Sequence, residues 1–126
     1  MDSLREMNWA MKYIEDNLME AIEFNKLSQI VGCSEYHFRR MFSFLSGMSL
    51  NEYVRLRRLT VAATLLQDKD NKVIDISLNL GYESPDSFTK AFKSFHGITP
   101  SQARKSNSSL KAFPPMTFQF KIQGGI

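Results

Sequence analysis

The chain has 126 residues, 43% of them hydrophobic, a single cysteine and a formal net charge of +3. That length supports one compact domain, and that hydrophobic content excludes wholesale disorder. One thiol, Cys33, excludes an intrachain disulfide and a cysteine-rich zinc site, while a polar start and the lack of any run of about 18 apolar residues fit a cytoplasmic protein without a leader or membrane span.

Residues 3–20 read as a first helix. Ser3 and Glu6 have capping-box spacing, and Leu4, Met7, Met11, Ile14 and Leu18 form one apolar stripe. A short helix over about 26–31 stops at Gly32, and Ser34 caps a third over 35–46 that Gly47 ends. Ser49 and Glu52 suggest another capping box, opening a long fourth helix over about 50–67. The polar run 68–72 is a surface connection to a fifth helix over about 73–80, which stops at Gly81. Ser84-Pro85-Asp86 starts a sixth helix that runs to His96, and Thr99-Pro100 opens a short seventh. The expected fold class is therefore all-α, with about seven helices over 1–105.

The chain repeats itself. Leu27-Ser28-Gln29-Ile30-Val31-Gly32 matches Ile76-Ser77-Leu78-Asn79-Leu80-Gly81, and Ser34, Phe38, Phe42, Gly47 and Ser49 match Ser84, Phe88, Phe92, Gly97 and Thr99. Each copy is a short helix, a glycine turn and a capped second helix, which is the helix-turn-helix pattern. One copy is a weak signal, since helical hairpins are common, but two with matched glycines and phenylalanines are a strong one. The first unit spans about 3–48 and the second about 73–105, joined by the long helix.

The charges are uneven. Residues 1–25 carry two basic and six acidic side chains, whereas 26–105 carry twelve and seven. The middle of the chain is the part suited to a polyanion. In the third helix Phe38, Met41, Phe42 and Leu45 take the inward face, leaving Glu35, Tyr36, Arg39, Arg40 and Ser43 outward. In the sixth, Phe88, Ala91, Phe92 and Phe95 face inward and Asp86, Ser87, Lys90 and Lys93 outward. Base-reading is assigned to Tyr36, Arg39, Arg40, Asp86, Ser87 and Lys90, because arginine pairs bidentately with guanine and lysine, serine and aspartate also address base edges. Phosphate contact is assigned to Ser34, His37, Ser84, Lys93 and Arg104, the two serines through the free N–H groups of the helix ends they cap. The phenylalanines could stack on single-stranded bases, but their inward face favours core. His37 and His96 have no metal spacing and read as surface or phosphate-side residues. Cys33 reads as a small buried residue. Arg55, Arg57 and Arg58 span too much of the fourth helix to face one ligand, so at least one is expected to tie the halves together through a carboxylate.

Arg58-Leu59, Ile76-Ser77, Gly81-Tyr82, Phe88, Phe92-Lys93, Gly97 and Thr99-Pro100 resemble the signature of AraC/XylS-type transcription regulators, over about residues 5–105. The resemblance implies two helix-turn-helix subdomains on a linker helix, sequence-specific binding of duplex DNA, and recognition helices in successive major grooves about 34 Å apart. It also implies RNA polymerase as a partner, and a small-molecule effector acting through a domain outside this chain. Pro85 and Asp86 depart from the residues often found at those reading positions. Ala103 stands where the family often has an aromatic, with Arg104 following as expected.

After the polar linker at 106–109, residues 116–123 alternate apolar and polar, which predicts a half-buried strand. A lone strand has no partner in a helical domain, so the tail is expected to open a further, β-containing effector domain; packing on the helices is the alternative. The competing function is a helical protein-interaction module, disfavoured because the outward faces are polar and basic. No nucleophile–base pair, phosphate-cradling loop or metal constellation supports an enzyme, and no cofactor is expected.

Overall fold

A computed structural model describes residues 3–106 and 110–119. Seven helices follow in order: α1 (Ser3–Asp16), α2 (Phe24–Val31), α3 (Glu35–Ser46), α4 (Leu50–Leu65), α5 (Val73–Asn79), α6 (Pro85–His96) and α7 (Pro100–Lys105). The described residues contain no strand.

Two cores form rather than one. Met7, Ala10, Met11, Ile14 and Leu18 of the first unit pack with Leu27, Val31, Phe38 and Phe42. Ile76, Leu80, Phe88, Phe92 and Ala103 form the second. The linker helix serves both. Leu50, Tyr53 and Val54 belong to the first core, and Leu59, Ala62 and Leu66 to the second. At 3.6 residues per turn these two sets point about 160° apart around α4. The units therefore hang from opposite sides of one helix, and α4 has no single apolar stripe.

The paired turns are built alike. Gly32 (φ 71°) and Gly81 (φ 87°) both take the left-handed conformation that side chains resist. Ser34 Oγ accepts the His37 backbone N–H at 3.1 Å and Ser84 Oγ that of Ser87 at 3.2 Å. Phe42 meets Tyr53 at 5.5 Å between ring centroids, while Phe88 meets Phe92 at 5.7 Å.

Several expectations are corrected. α1 stops at Asp16 rather than 20, because the Asn17 amide donates to Tyr13 O at 2.8 Å and Arg58 takes the carbonyls of Leu18 and Glu20. The Ser3–Glu6 capping box involves a side chain outside those described. At Ser49 only half a capping box forms, since Glu52 turns to Arg55 instead, at 2.9 and 3.0 Å. Leu45 is exposed in the last turn of α3, beyond the core. His96 is buried, not on the surface. Its Nε2 bonds Leu59 O at 2.8 Å, its ring lies 4.3 Å from that of Phe92, and Nδ1 has no partner. Cys33 is half-buried against the first core, and burial raises its thiol pKa.

The described part of the tail packs on the helices. Residues 116–119 are extended but unpaired with any strand; residues 120–123 of the expected strand lie outside those described. The alternation is nevertheless physical. Met116 and Phe118 pack on the first core while Thr117 and Gln119 are exposed, so the segment buries one side against helices rather than a sheet.

Two predictions follow from the cores. Phe42→Ala and Phe92→Ala, both fully buried, should each cost about 3–5 kcal/mol in urea unfolding. Burial lowers the His96 pKa from its usual 6.5, outweighing the carbonyl bond that raises it; nearby Lys111 lowers it further. The unfolded chain thus binds the extra proton first, and stability falls as pH drops below about 6.5. The melting temperature should decline between pH 7 and 5, less steeply in His96→Gln.

Candidate nucleic-acid interface

α3 presents Tyr36, Arg39, Arg40 and Ser43 around one shallow depression. Tyr36 is 70% exposed, too much for a core residue. The Arg40 guanidinium stands 5.7 Å from the Tyr36 ring centroid, so the two form a stacked, solvent-facing pair one turn apart. Arg39 is held differently. It sits 4.3 Å over the Phe24 ring, donates to Asn51 Oδ1 at 3.0 Å and pairs with Glu35 at 3.4 Å. Its guanidinium thus joins α2, α3 and α4, leaving Arg40 as the freer arginine of the two. Asn51 was not singled out from the sequence. Its only signal was a polar residue in the first turn of the linker helix, just after the α3–α4 turn.

On α6, Asp86, Ser87, Lys90 and Lys93 are all exposed. The Ser87 hydroxyl bonds back to Ser84, closing a reciprocal capping box with the Ser84 side chain. Pro85 at the first helical position has no N–H to offer an anion, and Asp86 adds a negative charge in the same turn. The N-terminus of α3 keeps the N–H of Glu35, where α6 has Pro85, its first-turn Glu35 carboxylate is paired with Arg39, and exposed Ser34 and His37 lie beside it. The second helix end is therefore the poorer anion site.

Arg104 is half-buried. Its guanidinium donates to Leu66 O at 3.1 Å and to Asn71 O, tying α7 to the end of α4. The linker arginines also divide their work. Arg57 is buried and pairs with Glu15 and with Phe113 O. Arg58 donates to Leu18 O at 2.9 Å and Glu20 O at 2.8 Å. The carboxylate tie thus joins the linker helix to the first unit, and Arg58 holds the α1–α2 connection through carbonyls. Arg55 and Arg58 line a groove of about 660 Å³ between the units, walled by Ile22, Phe24, Leu78 and Tyr82. Among the described residues, no group of histidine, cysteine and carboxylate side chains could hold a metal, and no helix is long and apolar enough to cross a membrane.

Two helix-turn-helix units on one linker, each with a polar outward helix, define a helix-turn-helix DNA-binding protein. A helix-turn-helix domain family matches residues 27–106. The chain is 40% identical over 96 residues to the HTH-type transcriptional activator AarP of Providencia stuartii, covering 76% of this chain and 71% of that protein. It is 32% identical over 97 residues to the multiple antibiotic resistance protein MarA of Escherichia coli, covering 77% and 76%. Among solved structures it resembles an AraC-type regulator from Chromobacterium violaceum (TM-score 0.69, 27% identity, 82% of this chain and 89% of that one). It also resembles the DNA-binding domain of AdpA, solved with a target DNA (TM-score 0.64, 25% identity, 83% and 92%). The chain belongs to the AraC/XylS family of transcription regulators, which bind duplex DNA sequence-specifically.

Tyr36→Ala should leave the fold intact, because the side chain is mostly in solvent. Arg39→Ala should destabilise it by about 1–2 kcal/mol, through loss of packing on Phe24 and of the Asn51 bond. Parallel urea titrations of the two variants check this contrast.

Proposed function

We propose that α3 and α6 enter successive major grooves of one promoter duplex and that the first unit is the main reader. The carrying observation is the exposed Tyr36–Arg40 pair on α3, set against Pro85 and Asp86 at the tip of α6. Arg40 pairs with a guanine edge, and the Tyr36 ring packs on a thymine methyl or sugar. Arg39, anchored by Asn51 and Phe24, directs a rigid cation at the same groove. On the second helix Lys90 reads bases, Ser87 and Asp86 border the reading surface, and Lys93 meets phosphate. Ser34, His37 and Ser84 flank the phosphates through their helix ends. A promoter partner places the protein in the cytoplasm.

Selection of duplexes from a random pool should enrich one asymmetric motif, better defined on the half read by α3. Log affinity should fall linearly with log salt, with a slope of about −0.9 per phosphate neutralised. Arg40→Ala and Lys90→Ala should each weaken binding to the selected site by about 1–3 kcal/mol and relax preference at one position. Unchanged binding in both would place the reading surface elsewhere.

A further inference from the structure

We infer that two ties on opposite flanks of α4, Arg58 on one and the segment 110–118 on the other, set the spacing between the reading helices and so the spacing of the DNA site. The inference rests on the reading above, that α3 and α6 engage one duplex together.

Apart from Met19 in the α1–α2 connection, which packs on the second core, the two units share little direct contact. No helix among α1, α2 and α3 packs extensively on α5, α6 or α7; they meet through α4. Units joined so thinly move relative to one another unless something holds them. On one flank Arg58 does so. Its Nε and one Nη grip the carbonyls of Leu18 and Glu20 in the α1–α2 connection. Its other Nη lies 3.5 Å from where a Cβ on Gly81 would sit, in the turn of the second unit. One planar guanidinium on the linker thus bonds the first unit and lies in the groove beside Gly81 and Tyr82 of the second.

On the other flank the tail runs from the second unit to the first. Leu110 packs on the second core. Thr60 Oγ1 then accepts the Phe113 N–H at 2.9 Å, and the Tyr53 hydroxyl accepts that of Met116 at 2.9 Å. The Asn8 amide takes both sides of Phe118, accepting its N–H and donating to its carbonyl, each at 2.8 Å. The Phe118 ring meets Phe42, on the buried face of α3, at 6.1 Å. Around α4, Tyr53, Arg57 and Thr60 lie about half a turn from Asn51, Arg55 and Arg58. The linker is thus braced on both flanks.

Changing a site by one base pair moves the second groove by about 3.4 Å and rotates it by roughly 36°. Braced units reject that change; loosened units accept it. The test pairs spin labels on α3 and α6, at Leu45→Cys and Ser94→Cys in a Cys33→Ser background, with binding to the selected duplex and to the same duplex carrying one inserted base pair. The parent should show a narrow distance distribution and bind the insert about tenfold more weakly. Arg58→Ala and Phe118→Ala should widen the distribution and cut that discrimination to about threefold or less. Arg58→Lys and Asn8→Ala, milder changes, serve if either fails to fold. Wild-type widths in the variants, or wider distributions with unchanged discrimination, would overturn the inference. A parent that binds no duplex would sink the DNA reading alone, and the distances would still judge the ties.

Discussion

Leu50, Tyr53 and Val54 leave α4 in one direction and Leu59, Ala62 and Leu66 leave it in nearly the opposite one. Everything else depends on that divergence. A helix with one apolar stripe would fold both units onto the same side and make one core. With two apolar faces, offset along its length, α4 makes two cores and keeps the units apart. α3 and α6 then belong to separate cores carried by one helix.

Each core repeats the same solution with different chemistry at its edges. A glycine in the left-handed region makes the turn, a serine caps the second helix, and two phenylalanines four residues apart lock that helix inward. The outward faces then diverge. On α3 a tyrosine and an arginine stack in solvent beside a second arginine fixed by Asn51 and Phe24. On α6 a proline and an aspartate occupy the tip, and lysines follow further along the helix. The duplication shapes the scaffold, and the substitutions on its surface make the two ends unequal.

The arginines show how one residue type takes three tasks in this small protein. Arg40 stays in solvent, stacked on Tyr36. Arg57, buried, is compensated by Glu15 and a carbonyl, without which its charge would be costly. Arg58 and Arg104 hold the carbonyls left open where helices end. A planar fork of donors suits each of these tasks.

Helix number, the two glycine turns, the caps at Ser34 and Ser84 and the inward phenylalanines were all legible in the amino-acid order. They rest on local rules: period, capping and the backbone freedom of glycine. The outward exposure of Tyr36 and Arg40 was legible for the same reason, since helical period alone separates the faces. What long-range contact decides was not. Arg39 looks like Arg40 until Phe24 and Asn51 close on it, and no local signal marks the bonds of Arg104 to the carbonyls of Leu66 and Asn71. His96 is surface-like in its own helix and becomes core only when α4 passes over it. The tail alternates like a strand because one side is buried, yet period two reports only an extended chain with a covered side. For the described residues 113–118 the covering comes from helices, through Asn8, Tyr53 and Thr60, at least 53 residues away in the chain.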